Sequence, residues 1–522
     1  MTGGSRIGGI GAGALAEASS DLAPALEPAG APTSEQSTLV GRAFSRWSRA
    51  IRDMAASARL PFVSGDDADL GPDQAEKLRA EMRACLEARG GEALARAQAA
   101  GIASVYIGLG PTGRARFFEI LASEFGIDRA NVDGAITRYQ EAEGEADKLS
   151  AERALRRALV SPGMRLLTKF NGLPEGTRFL IDMRAHLLAL ERRDDPRLRA
   201  LDADFRHLLA TWFDIGFLRR ARLTWDSPAS LLEKIIAYEA VHEIRSWQDL
   251  HHRLDGDRRC YAFFHPSLPD EPLIFLQVAL VEGLAGRIEP LLNGGSAVGS
   301  PRRADTAIFY SITSTLDGLR GISFGNFLIK QVVDDLARDL PSLKQFATLS
   351  PMPRLRQWLE QQPPDDWLAA EQQRALAAGV PTAPHAAAAL GDTRWLREPQ
   401  LVAGLEEPLI GAAARYLTAR EADGLPVDPV ARFHLGNGAR IERINWLADR
   451  SPRRLAQSAG LMVNYSYDRP EIEQNHEAFA RSQLITVSAP IYELLRTFGG
   501  DAIAGVRVSR RAFRLGRMIR RQ

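Results

Sequence analysis

His434 stands at the end of the apolar run Val430-Ala-Arg-Phe-His-Leu, just before a Gly-Asn-Gly turn. Histidine is the side chain best suited to moving protons near neutral pH, and a strand end beside a loop places it at a cleft. A core histidine bonded to backbone fits the same residues. Hydroxyls form a second cluster at Ser311, Thr313, Ser314 and Thr315. Extended alternation sends Ser311, Thr313 and Thr315 to one face and Ser314 to the other. Glycines 318, 321 and 325 follow at once. Hydroxyls beside a glycine loop can orient a carboxylate or carbonyl, whereas elsewhere most bond only to backbone.

The elements that must hold these residues are readable. Phe309, Tyr310, Ile312 and Thr313 predict a strand, and Phe327, Leu328, Val332, Leu336 and Leu340 recur at helical spacing until Pro341 ends the pattern. A strand, a glycine loop and a helix start together make an anion site, because free backbone N–H groups and the positive helix end converge there. In this loop the Gly-x-Gly-x-x-Gly spacing of a dinucleotide fold is missing, and no Gly-Lys-Ser/Thr closes it as a P-loop. An ordinary strand–turn–helix with glycines for packing is the plainer alternative.

The other histidines point to less. His242-Glu243 lacks the second histidine of a zinc protease helix and reads as a surface pair; His251-His252 reads as solvated; His265 precedes Pro266 and can cap a strand. None shows metal-ligand spacing with a carboxylate, so no metal is expected. Two cysteines far apart, Cys85 and Cys260, exclude a disulfide framework and fit a reducing compartment.

The chain has 522 residues and a net charge of +1, so it is no general nucleic-acid binder, and no apolar run is long enough to span a bilayer. Residues 507–521 carry seven arginines and no acid, and read as a solvated terminal helix or subunit contact. Residues 1–38 are rich in Gly, Ala, Ser and Pro and make a poor signal or transit peptide, which leaves the cytoplasm as the expected location.

Residues 39–213 are dominated by helical patterns, including Asn131–Arg157 as one helix, and read as an all-α bundle for packing or oligomerisation. Residues 214–522 mix strands with helices, with strands expected at Arg259–His265, Pro272–Val281 and Phe346–Leu349, and a helix at Arg440–Ala448. The fold class is therefore α+β, with an N-terminal helical bundle before the mixed domain.

Seven stretches stand out in order. In the helical half they are IGLGPTGRARFFEILASEFG and FNGLPEGTRFLIDMRAHLL. RRCYAFFHPSLPDEPLIFLQVALVEG and FYSITSTLDGLRGISFGNFLIKQVV follow, then FATLSPMPRLRQWL, VARFHLGNGARIERINWLADRS and LMVNYSY. Together they resemble the malonyl-CoA decarboxylase family, and the likeness covers roughly Phe44 to Asp468. The resemblance implies a catalytic domain of the GNAT acyltransferase fold and conversion of malonyl-CoA to acetyl-CoA and carbon dioxide, with no cofactor and no metal. It implies a coenzyme A cradle at Arg320, Gly321, Ile322, Ser323, Phe324, Gly325 and Asn326. The family's substrate stretch falls on Ala285, Gly286, Arg287, Ile288, Glu289, Pro290 and Leu291.

The implied catalytic pair is His434 with a strand hydroxyl. Thr313 stands where the family usually has the second serine of Ser-Ile-Ser, leaving Ser311 and Ser314 as alternatives, and Tyr467 matches a tyrosine near the site. The implied partners are malonyl-CoA and acetyl-CoA, without nucleic acid or membrane, and a homo-oligomer (dimer or tetramer) formed through the helical domain. Acyl transfer to an amine on the same fold, or acyl-CoA binding without turnover, remain the alternatives at this level.

Overall fold

The computed structural model describes residues 48–54, 68–87, 91–190, 195–213, 215–292, 301–322, 328–498 and 503–509. The leader at 1–38, cradle residues Ser323, Phe324, Gly325 and Asn326, and the arginine tail beyond Ser509 lie outside them.

Helices come first: α1 Pro72–Glu87, α2 Gly91–Gly108, α3 Pro111–Glu124, α4 Arg129–Glu141, α5 Glu145–Ala158, α6 Pro162–Asn171, α7 Gly176–Leu188 and α8 Pro196–Trp212. Proline opens α3, α6 and α8, where its missing N–H costs nothing, and Ser161 and Asp195 cap the last two. The single helix expected over Asn131–Arg157 is two, α4 and α5, parted at Ala142–Gly144. The apolar spacing runs through the break, so periodicity alone did not reveal it. Tyr106, Phe117, Phe118, Phe170 and Phe179 meet edge to face in the helical core.

The remainder builds one mixed ten-stranded sheet. Its elements begin with β1 Arg219–Leu223, α9 Ala229–Tyr238, α10 Trp247–Arg253, β2 Arg258–His265, β3 Leu268–Val281 and β4 Thr306–Ser314. They continue with α11 Leu328–Asp339, β5 Gln345–Thr348, β6 Ser350–Pro351, α12 Pro399–Thr418 and α13 Pro429–Gly436. The last strands are β7 Arg440–Asn445, β8 Met462–Ser466, β9 Ile485–Val487 and β10 Val506–Val508. Strand order is β1-β2-β3-β4-β5-β8-β7-β9-β10, with β6 on β8. β1 to β4 are antiparallel neighbours, and β4 and β5 run parallel.

Two irregularities shape the site. β4 and β5 pair only over Thr306–Phe309 and Gln345–Thr348; beyond Phe309 and Thr348 they part, and the chain after β5 turns to β8. On its other side β4 bulges at Tyr310, since Gln277 faces Ser311 while Val278 faces Phe309. A bulge puts an extra residue into the alternation, so Tyr310 and Ser311 share a face.

Two expected elements exchange type. The helix expected at Arg440–Ala448 is strand β7, where a bulge at Glu442 lets Ile441 and Ile444, three residues apart, both face the interior. That spacing imitates a helix. The apolar run at Val430–Gly436, expected as strand, is helix α13, buried on nearly all sides and too short to show a helical period.

The helical region closes against the sheet. Arg178 of α7 lies 3.3 Å from Glu271. Gly318, just after β4, packs so tightly on α7 that a Cβ there would sit 1.8 Å from the Ile181 carbonyl oxygen.

Candidate active site

His434 lies in the last turn of α13 and is 2% exposed. Asp428 caps this helix, accepting from the N–H groups of Val430 and Ala431 at 2.6 and 2.8 Å, and Pro429 fills the first position. The imidazole sits between two hydroxyls: Tyr467 Oη is 2.8 Å from Nδ1, and Ser350 Oγ is 3.1 Å from Nε2. Ser350 gives its own hydrogen to Thr348 Oγ1 at 2.8 Å. Ser350 must then accept from His434, which places the ring proton on Nε2 and leaves Nδ1 to accept from Tyr467. Tyr465 stacks on the ring at 4.5 Å. Burial pushes His434 down to about 3 and Tyr467 well above the usual tyrosine range, so at neutral pH both are uncharged hydrogen-bond donors.

A second network occupies the other face of β4. Ser311 Oγ lies 2.8 Å from both carboxylate oxygens of Glu239, just past the end of α9, while Thr313 Oγ1 is 3.4 Å from the nearer one. Glu239 also accepts from the backbone of Val241 and His242 and from Gln277 Nε2. Gln277 Oε1 in turn accepts from Tyr310 at 3.0 Å and from Arg253 at 3.5 Å. The bulge is what brings Tyr310 and Ser311 to this carboxylate together. His242, expected at the surface, is buried beside Tyr310, and desolvation holds it well below the usual histidine range. His251 and His252, expected without a partner carboxylate, both meet Asp255, at 3.6 and 3.4 Å.

The predicted residues thus fall into two groups. Phe309 and Tyr467 touch on the His434 face, at 6.4 Å between rings, while Ser311 and Thr313 face Glu239. Ser314 is partly exposed and, by alternation, shares the His434 face. Both groups border the gap where β4 leaves β5, since Ser311 and Ser350 each lie two residues beyond the last pair, Phe309 and Thr348. Tyr467 also borders a cleft of about 450 Å³ together with Phe346, Lys344 and Arg469.

The stretch Ala285–Leu291 reaches the same gap. Asn464 Nδ2 donates to the carbonyls of both Ala285, at 3.0 Å, and Thr348, at 2.7 Å. Gly286 lies against Asn445 and Arg443, Ile288 donates to the Ala448 carbonyl, and Glu289, Pro290 and Leu291 start a single helical turn. Ile288 and Leu291 pack with Tyr310, and Arg287 is exposed. On the far side of β4, Arg320, Gly321 and Ile322 form a tight turn in which Ile322 N–H donates to the Leu319 carbonyl at 3.0 Å.

Sequence reading missed Glu239, Gln277, Ser350 and Thr348. Ser350 carried a weak signal: Thr348-Leu-Ser350 alternates hydroxyl, apolar, hydroxyl, which puts both hydroxyls on one face. Glu239 carried none.

A helical region on a mixed sheet, with a buried neutral histidine donor at the parting of two parallel strands, is the layout of an enzyme that stabilises developing negative charge without moving a formal charge of its own. The sequence profile of the malonyl-CoA decarboxylase C-terminal domain matches residues 216–503, and that of the N-terminal domain matches residues 125–213. Mouse mitochondrial malonyl-CoA decarboxylase is 36% identical over 428 residues, covering 78% of this chain and 87% of the relative. The goose mitochondrial enzyme is 35% identical over 74% of this chain and 80% of its own length. Crystal structures of malonyl-CoA decarboxylases from Rhodopseudomonas palustris and Agrobacterium vitis are each 41% identical, covering 80% of this chain and 99% of theirs, with TM-scores of 0.73 and 0.72. The chain belongs to the malonyl-CoA decarboxylase family.

The expected cytoplasmic location is overturned by these relatives, since the mouse, goose and rat enzymes are mitochondrial. Two buried, unpaired cysteines suit any reducing interior, so they could not separate one compartment from another. No helix among the described residues is long and apolar enough to cross a membrane.

Proposed function

We propose that the chain decarboxylates malonyl-CoA at the gap between β4 and β5, with His434 as the central donor. The observation that carries this is the imidazole held neutral between Tyr467 and Ser350. Breaking the bond to the carboxylate leaves two electrons, which flow into the thioester carbonyl as an enolate. The Nε2–H of His434 is the donor for that oxygen, and one such donor is worth about 3 kcal/mol. His434 passes its Nε2 proton to the α-carbon while taking one at Nδ1 from Tyr467; when the products leave, solvent returns a proton to Nε2 and Nδ1 gives its own back to Tyr467, which restores the resting tautomer. Carbon dioxide leaves, and acetyl-CoA remains. Among the strand hydroxyls, Ser311 is held by both oxygens of Glu239; Thr313 is held more loosely and can turn to the malonyl carboxylate.

Parallel strands that part beside an anion-binding turn support the GNAT reading of the sheet, with the edge of Tyr310–Ser314 that faces away from β3 meeting the pantetheine arm. In that reading Ala285–Leu291 and Arg320–Asn326 flank the coenzyme, residues 39–213 form the helical domain and 214–522 the catalytic one. Exposed Ile136, Tyr139, Leu149 and Leu159 on and beside α4 and α5 support self-association of the helical region. Leu149→Glu should then lower the oligomeric state measured by light scattering.

Incubation with malonyl-CoA, without acceptor amine or added metal, tests the reaction. Carbon dioxide and acetyl-CoA in equal amounts are expected. Turnover only when an amine is added would make the chain an acyltransferase, and binding without turnover would make it a non-catalytic acyl-CoA protein.

A further inference from the structure

The helical region reaches into the turn that follows β4. Arg184 of α7 is 2% exposed, and its Nη1 donates to the carbonyls of both Gly318 and Arg320, at 2.7 Å each. Asp202 of α8 holds the other side of the guanidinium, 2.7 Å from Nε. The fixed fork of arginine lets one side chain serve these three acceptors at once.

The turn itself has a definite type. Arg320 has φ −58° and ψ 130°, Gly321 has φ +76°, and Ile322 N–H bonds to the Leu319 carbonyl. These are the angles of a type II turn, whose second central residue needs the left-handed backbone that glycine adopts freely. Types I and II differ by a flip of the central peptide, here the Arg320–Gly321 bond. Arg184 holds that carbonyl on the helical side. Because the peptide is planar and trans, the Gly321 N–H points the opposite way. Among the described residues, a side chain added at Gly321 would meet only Arg206 of α8, at 3.9 Å from its Nε.

We propose that the helical region is part of the coenzyme A phosphate site: Arg184 is a positioning residue that locks the turn with Gly321 N–H outward, and Arg206 adds positive charge beside it. This rests on the reading of Arg320–Ile322 as part of the coenzyme cradle. It assigns a binding role to a region otherwise expected to pack and oligomerise.

The test compares malonyl-CoA with malonyl-pantetheine, which has the same reacting end and no phosphates. Wild type should show a lower KM for malonyl-CoA. Arg184→Lys keeps the charge and loses the fork, so it should raise KM for malonyl-CoA about 10-fold, with kcat and the malonyl-pantetheine kinetics unchanged. Arg206→Gln removes a half-buried side chain outside the core and should raise the same KM severalfold, giving a reading even where Arg184→Lys does not fold. Equal losses on both substrates, or an unchanged KM ratio in the folded variants, would overturn the proposal. A wild type with no preference for malonyl-CoA would remove the cradle reading and the proposal with it.

Discussion

The hydroxyl of Tyr467 lies 2.8 Å from Nδ1 of His434, at the far side of the ring from Ser350. Since Ser350 must accept, Tyr467 must donate, and this bond fixes which nitrogen carries the proton. Tyr467→Phe deletes the donor with little change of shape. Turnover should fall roughly 10- to 100-fold, with KM nearly unchanged, in steady-state kinetics on malonyl-CoA. A variant with full turnover would mean that the tautomer is set elsewhere.

Glu239 gathers Ser311, Gln277 and two backbone N–H groups in one buried site. Glu239→Gln keeps the size but puts an NH₂ where acceptors are needed. Stability should drop by about 1–3 kcal/mol in denaturant unfolding. Loss of Ser311 and Thr313 alignment should also lower turnover. Unchanged unfolding would show that the network relaxes without its carboxylate.

Gly318→Ala would drive a Cβ to 1.8 Å from the Ile181 carbonyl oxygen, and both sides of that contact are backbone. The loop after β4 must then lift away from α7. A loss of roughly 1–3 kcal/mol is expected, read as a lower Tm. An unchanged Tm would mean that the loop and α7 part without cost.

Burial of His434 makes stability depend on pH. Its folded value is about 3 against an ordinary 6.5, so the unfolded chain binds the extra proton throughout that interval. The contribution is complete above 6.5 and is lost as pH falls toward 3. Between pH 7.5 and 5 it amounts to roughly 2 kcal/mol. His186, lowered to about 4 by burial, acts in the same direction. Denaturant unfolding of wild type and His434→Gln at both pH values should therefore show a shallower acid loss in the variant. Equal losses would show that His434 is not held neutral.

What was legible in the sequence was local. Phe309–Thr313 and the pattern ending at Pro341 have strand and helix periods of their own, and they reappear as β4 and α11. Ser311 and Glu239 meet across 72 residues, and Ser350 and His434 across 84, so no spacing announces them. Bulges at Tyr310 and Glu442 shift the alternation by one residue; the second made a strand imitate a helix. His434 was singled out on a supposed strand, yet the capped helix α13 delivers it, because a short, wholly buried segment shows no period.

The most direct measurement is the turnover of His434→Ala on malonyl-CoA, beside its affinity for coenzyme A. Loss of the donor to the enolate and of the proton relay should cut kcat by at least about 100-fold, with coenzyme A binding largely intact. Turnover close to that of wild type would contradict the account and take His434 out of the mechanism.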